Sequence, residues 1–89
     1  MSEFVELTLI TKPGCHLCDD ARAVVQPVVD EFVAAGGIEV VLNEVNMLDD
    51  AALTARYSEE IPVLLINGKV HNYWRIDPDR LRSALTALL

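Results

Sequence analysis

The sequence predicts an α/β fold in which the elements follow the order βαβαββα. Three observations indicate this: apolar, β-branched runs alternate with segments of helical periodicity, a long helix joins the first two runs, and Asn67-Gly68 joins the last two. A strand, a long helix and a second strand form a right-handed parallel unit, and a closing hairpin adds antiparallel strands to the same sheet. We therefore expect a four-stranded mixed sheet with helices on both faces.

The first half of the chain is predicted to contain two strands and one long helix. Residues 4 to 10 are apolar enough for a buried strand, which a Lys-Pro-Gly turn ends. From Cys15 onward apolar residues recur at helical spacing until a pair of glycines stops the helix. Pro27 lies inside this segment, so the helix is either kinked or divided into two pieces. Residues 38 to 45 are predicted to form the second strand.

The second half is predicted to contain a short helix, a hairpin and a final helix. An acidic start at residues 49 and 50 opens the short helix. Residues 61 to 66 are the third strand, and residues 69 to 74 return beside it as the fourth. Asp77 is the predicted N-cap of the last helix, with Pro78 in its first turn.

Composition excludes several classes of protein. The chain has 89 residues, of which 52% are hydrophobic, and no repeat or linker divides it, so we expect one domain spanning residues 1 to 89. The net charge of −7 repels phosphate backbones and anionic lipids, so neither a nucleic acid nor a membrane is an expected partner. The start of the sequence lacks the features of a secretory signal. We therefore expect a cytoplasmic monomer.

The two cysteines of the chain, Cys15 and Cys18, follow the turn after the first strand. In a reducing compartment such a close pair indicates catalysis or metal binding rather than a structural disulfide. Cys15 begins the long helix, where unpaired N–H groups and the helix dipole favour negative charge. It is the predicted nucleophile, and Lys12 is placed to help stabilise its thiolate. Cys18, one turn later on the same face, is the predicted resolving thiol.

The two histidines have weaker roles in this prediction. His16 either tunes the thiol chemistry as a partial cation or simply faces solvent. His71 is predicted to be a solvated strand residue because nothing near it completes a metal-ligand spacing. The sequence therefore predicts no metal cluster of histidines and cysteines.

Three short motifs together resemble the thioredoxin superfamily. Cys-His-Leu-Cys at a strand-helix junction is followed by Glu-Ile-Pro-Val before the third strand and by Asn-Gly-Lys after it. The pattern is most similar to small bacterial glutaredoxin-like proteins with Lys-Pro-x-Cys-x-Leu-Cys, and the resemblance spans almost the whole chain. It implies a thioredoxin-like fold and a cis proline at Pro62 facing the cysteines. It also implies that the backbone of Ile61 binds an incoming thiol or peptide.

The chain departs from the glutaredoxin pattern where glutathione would bind. Glutaredoxins usually carry Gly-Gly and a following Asp after the fourth strand, whereas residues 72 to 75 are Asn-Tyr-Trp-Arg here. Glu59 and Glu60 place negative charge where a carboxylate ligand needs a cation. Lys12 and Arg75 are the candidate cations. The aromatic pair in this segment either packs in the core or on the sheet, or forms a lip of the groove.

The leading functional hypothesis is a thiol-disulfide oxidoreductase in which Cys15 attacks a disulfide and Cys18 resolves the intermediate. The substrate is a disulfide-containing protein or a small thiol compound. No cofactor is bound, and the reductant is glutathione, another low-molecular-weight thiol or a thioredoxin-type system. Three alternatives stay open: deglutathionylation by Cys15 alone, binding or delivery of Cu(I), zinc or a shared iron-sulfur cluster, and a binding module with idle cysteines.

Overall fold

The computed structural model describes residues 4–36 and 38–88, and its elements follow the predicted βαβαββα order. A short 3-10 helix at Met47–Asp49 is added before the second helix. The predicted α/β fold with a four-stranded mixed sheet is confirmed. The strands are β1 (Phe4–Thr11), β2 (Glu39–Asn46), β3 (Val63–Ile66) and β4 (Lys69–Tyr73), and the helices are α1 (His16–Ala35), α2 (Ala51–Tyr57) and α3 (Pro78–Thr86).

The sheet has the strand order β2-β1-β3-β4. β1 pairs in parallel with β2, which α1 connects to it, and antiparallel with β3. β3 and β4 form the predicted hairpin, in which Asn67 and Gly68 have φ values of 51° and 84°. Two successive positive φ values are the geometry that a two-residue hairpin turn requires, and Asn-Gly adopts it readily. The Asn67 side chain also accepts a 2.9 Å hydrogen bond from the backbone N–H of Glu6.

Helices cover both faces of the sheet because successive residues of a strand point to opposite sides. Leu9 and its partner Leu64 face α1 and α3, whereas the adjacent pair Ile10 and Val63 faces Tyr57 of α2. The larger core therefore lies under α1 and α3, and a smaller one lies on the other face at the cysteine end. The smaller cluster consists of the buried residues Ile10, Cys18, Met47, Tyr57, Ile61 and Val63.

Two effects of proline on the elements are informative. α1 is one continuous helix through Pro27, so a division into two pieces is wrong. Pro27 is exposed, and water can hydrogen-bond the carbonyl that the proline leaves without a donor. β3 begins at Val63 rather than at Ile61. The reason is that Pro62 has no N–H to donate to a neighbouring strand.

The predicted cap of α3 is confirmed. Asp77 precedes the helix, and its Oδ1 accepts hydrogen bonds from the backbone N–H groups of Asp79 (2.9 Å) and Arg80 (3.3 Å). Pro78 occupies the first turn, where a missing donor costs nothing. Within residues 4–36 and 38–88, none of the helices combines the length and apolar character that a membrane span needs.

Candidate active site

The first turn of α1 places one cysteine sulfur against the helix backbone. β1 ends at Thr11, and the turn that follows uses Gly14 at a φ of 74° to direct the chain into the helix. Cys15 is the N-cap residue, and its Sγ accepts a 3.2 Å hydrogen bond from the backbone N–H of Cys18. The sulfur therefore lies at the positive end of the helix dipole, within hydrogen-bond distance of a backbone donor.

The two thiols are free and differ sharply in exposure. Cys15 is partly exposed, whereas Cys18 is fully buried. Burial raises the pKa of the Cys18 thiol to about 11, and the side-chain hydrogen bond with Cys15 raises it as well. The backbone of Lys12 and the positive charge of Arg22 act in the opposite direction. A disulfide from solution can therefore reach Cys15, while Cys18 is a protonated thiol behind it.

Of the residues just before β3, Ile61 packs with the two cysteines, and Pro62 follows it. The peptide bond between Ile61 and Pro62 is cis. Ile61 is 8% exposed and belongs to the same apolar cluster as Cys18, against which Cys15 also packs. Pro62 is fully buried, and its carbonyl accepts a 2.9 Å hydrogen bond from the backbone N–H of Trp74. The structure thus brings Ile61 together with both cysteines and orders Pro62 next to it.

Of the side chains predicted to supply positive charge to the site, Lys12 lies next to Cys18, whereas His16 and Arg75 lie on the surface around it. Lys12 interacts with Cys18 through its backbone, and its side chain is exposed. His16 and Arg75 are both exposed, and neither is among the groups that shift the pKa of Cys18. The structure therefore places Lys12 at the thiols and leaves His16 and Arg75 on the surrounding surface.

The aromatic pair at the end of β4 lies at the surface, with Trp74 beside Pro62. Tyr73 and Trp74 are 42% and 51% exposed and form an edge-to-face contact with ring centroids 4.9 Å apart. The indole N–H of Trp74 donates to the carbonyl of Glu59 at 2.9 Å, and its backbone has a φ of 63°. Packing in the core is therefore excluded for both rings. Trp74 instead hydrogen-bonds the segment before β3 twice, at the carbonyls of Glu59 and Pro62.

A network of charged side chains beside Cys18 was not foreseen from the sequence. Arg22 donates from Nε to Oε1 of Glu44 and from Nη2 to Oε2, both at 2.7 Å, and it also pairs with Asp19. The buried Thr11 hydroxyl donates to Glu44 at 3.0 Å. The Arg22 guanidinium holds the pKa of the Glu44 carboxyl below its usual range. The only signal in the sequence is that Arg22 follows Cys18 by one helical turn.

His71 is not the solvated residue that the sequence predicts. It is half-buried, and its Nε2 is enclosed without a hydrogen-bond partner in the part of the chain that the structure describes. Burial lowers the pKa of its imidazole because water no longer stabilises the cation. Among the described residues, no group of three or more His, Cys, Asp or Glu side chains is arranged to hold a metal ion.

We expect alkylation to distinguish the two thiols. In the native protein at pH 8, iodoacetamide should modify Cys15 and leave Cys18 largely unmodified, because Cys18 is buried and its pKa is raised to about 11. Raising the pH toward 10 should increase Cys18 modification by about tenfold per pH unit, as the thiolate fraction grows. Peptide mapping by mass spectrometry measures both sites. Protein unfolded in urea is the control, in which both should react alike; equal labelling in the native state would contradict the prediction.

Comparison with known proteins supports a single family assignment. A family model described as a glutaredoxin-like domain (DUF836) matches residues 6–86. A glutaredoxin-like protein of Dictyostelium discoideum is 25% identical over 85 residues, which cover 96% of this chain and 79% of that protein. An uncharacterized protein of Mycobacterium tuberculosis is 28% identical over 81 residues, covering 88% of this chain and 79% of that protein.

Solved structures show the same fold. An X-ray structure of the X. campestris protein XcR50 superposes with a TM-score of 0.69 at 34% identity, covering 91% of this chain and 96% of that one. The thioredoxin of Fasciola hepatica superposes with a TM-score of 0.66 at 18% identity, covering 99% of this chain and 84% of that one, which shows the fold alone. Because the family model covers nearly the whole chain, the protein belongs to the glutaredoxin-like domain family.

Proposed function

We propose that this protein is a dithiol oxidoreductase that reduces disulfides through Cys15 and Cys18. The observation that carries the proposal is the asymmetry of the two thiols on one helical turn. Cys15 is accessible and caps α1, with its Sγ 3.2 Å from the backbone nitrogen of Cys18, while Cys18 is fully buried behind it. An exposed nucleophile and a protected second thiol are what a two-step exchange requires.

The reaction proceeds by two thiol-disulfide exchanges. The Cys15 thiolate attacks one sulfur of the substrate disulfide, forms a mixed disulfide and releases the other sulfur as a thiolate that takes up a proton. Cys18 then loses its proton and attacks Cys15, so that the Cys15–Cys18 disulfide forms and the second substrate thiol leaves. The substrate gains two electrons and two protons, which the protein dithiol supplies. An external thiol reductant restores the dithiol.

The neighbouring residues act on binding rather than on electron transfer. The backbone of Ile61 is available to hydrogen-bond an extended substrate beside Cys15, and the buried Pro62, joined to it by the cis peptide bond, orients that backbone for binding. Lys12, with an exposed ammonium, stabilises negative charge at the site. Arg75 contributes positive charge from the surrounding surface, and His16, next to Cys15 in the chain, tunes the exchange as a polar neighbour. Substrates are disulfide-containing proteins or small thiol compounds, and the protein acts as a cytoplasmic monomer without a bound cofactor.

The test is a redox titration read by mass spectrometry. The protein is equilibrated in mixtures of reduced and oxidised glutathione, its thiols are trapped, and its intact mass is measured. We expect a Cys15–Cys18 disulfide to replace the two free thiols cooperatively across the series, which yields the reduction potential. The Cys18→Ser variant is the control, in which a glutathione adduct on Cys15 should persist. Free thiols throughout the wild-type series would refute the proposal.

A further inference from the structure

In the second exchange, a negative charge must form on the sulfur of Cys18, which is buried. This inference rests on the proposed dithiol reaction, because only that reaction requires Cys18 to become negatively charged. Cys18 is fully buried, so water does not stabilise its thiolate. A charge that forms in such a place is stabilised by hydrogen bonds, such as the one from the Lys12 backbone, and by fixed positive groups nearby.

Arg22 is the positively charged side chain closest to Cys18 along α1. The two residues are four positions apart on one helical face, which places their Cβ atoms about 5–6 Å from each other. The Arg22 guanidinium acts on Cys18 in the direction that favours the thiolate, and it adds to the larger effect of the hydrogen bond from the Lys12 backbone. Other ionisable groups near Cys18 include Cys15 on the same helix, Lys12 in the preceding turn, Tyr57 of α2, and the carboxylates of Asp19 and Glu44 that contact Arg22. Of these, only Lys12 also carries a positive charge at neutral pH.

The guanidinium is held in a fixed position by two strands. Glu44 on β2 receives two hydrogen bonds of 2.7 Å from Arg22, in the forked geometry that orients a guanidinium best. Glu44 is held in turn by the hydroxyl of Thr11, a buried residue at the end of β1. Asp19 pairs with the third guanidinium nitrogen from the same helix. The two carboxylates neutralise part of the charge, so the effect on Cys18 is moderate in size.

We propose that Arg22 is a positioning residue for the resolving step, where its guanidinium, fixed by Glu44 and Thr11, stabilises the negative charge that Cys18 acquires as it attacks the mixed disulfide on Cys15. In that step the Cys18 proton goes to solvent, the Cys15–Cys18 bond forms, and the bond from Cys15 to the substrate sulfur breaks. The substrate sulfur leaves with the electron pair. Arg22 exchanges neither electrons nor protons.

The chain contains a matched control for Arg22. Arg82 on α3 makes the same forked contact with Glu31, at 2.9 Å for both hydrogen bonds, and pairs with Asp79 three residues before it, as Arg22 does with Asp19. Both arginine side chains are 40% exposed. Arg82 belongs to α3 and is absent from the groups that act on Cys18. Arg82→Gln therefore removes an equivalent ion pair at a distance from the chemistry.

The experiment follows the two steps separately with dithiodipyridine, an uncharged aromatic disulfide. Attack by Cys15 releases one absorbing thione, and attack by Cys18 releases the second. Removing the Arg22 charge by Arg22→Gln should raise the pKa of Cys18 by about one unit, which reduces its thiolate about tenfold. Greater nucleophilicity of the more basic thiolate offsets about threefold of this loss. We therefore expect the second phase at pH 7 to slow about threefold and the first phase to remain unchanged.

Two further comparisons exclude a merely structural effect. Arg22→Lys retains the charge and should restore most of the second-phase rate, and Arg82→Gln should leave both phases at the wild-type rate. The ratio of disulfide to dithiol in a glutathione buffer at pH 7 should change less than about twofold in Arg22→Gln, because Cys18 is uncharged in both forms.

An unchanged second phase in Arg22→Gln, or equal slowing in Arg82→Gln, would overturn the role of Arg22. Absence of a second phase in the wild type would instead overturn the proposed function.

Discussion

Replacing Cys15 with serine is expected to abolish disulfide reduction, leaving only the rate of the uncatalysed exchange. A serine hydroxyl does not ionise near neutral pH, and Cys18 cannot take over the attack because it is fully buried. The assay is reduction of a disulfide-linked peptide by the prereduced protein in excess, followed by separation of the peptide thiols.

The Cys18→Ser variant is the control for this experiment. Its Cys15 remains accessible, so it should form the first mixed disulfide at the wild-type rate and then accumulate it, which intact mass detects. Substantial peptide reduction by Cys15→Ser would show that the accessible thiol is not the nucleophile. Continued turnover by Cys18→Ser at the wild-type rate would show that the second thiol is not needed.

Leu64→Ala is expected to lower the free energy of unfolding by about 2–5 kcal/mol, the usual cost of truncating a fully enclosed leucine. Leu64 lies on β3, inside the sheet, and is completely buried in the larger core. Because small domains are stable by only about 5–15 kcal/mol, this is a large share of the total. Urea denaturation measures the loss as a lower transition midpoint with a similar slope.

A second leucine provides the matched control for the core prediction. Leu48, in the 3-10 helix after β2, is 60% exposed. The Leu48→Ala change removes the same atoms but should alter the free energy of unfolding by less than about 0.5 kcal/mol. If both variants lost the same stability, the placement of Leu64 in the core would be wrong.

The elements that local patterns determine were predictable from the sequence. The β3-β4 hairpin follows from Asn67-Gly68 because few other dipeptides adopt two positive φ values. The start of α3 follows from Asp77 and Pro78, whose capping chemistry needs only the next three residues. The spacing of Cys15 and Cys18 likewise fixes their position on one helical turn. In each case the physical cause lies within a few residues of the chain.

The features that depend on sheet register could not be predicted in this way. The contact between Arg22 and Glu44 joins residues 22 positions apart, and it requires β2 to lie parallel to β1 so that Glu44 is opposite Leu9. His71 lines a cavity together with Ala84 of α3, 13 positions further along the chain. The hydrogen bond from Trp74 to Glu59 spans 15 residues and depends on the irregular end of the hairpin. No local pattern encodes any of these contacts.

The contact between Trp74 and Glu59 gives the protein a built-in optical reporter. Trp74 is the single tryptophan of the chain, and its ring is fixed by hydrogen bonds to the carbonyls of Glu59 and, through its own backbone, Pro62. Its intrinsic fluorescence therefore originates at one place, beside the backbone of Pro62. A ligand that binds beside Trp74 changes the surroundings of that one fluorophore, so its arrival can be followed in solution without any added label.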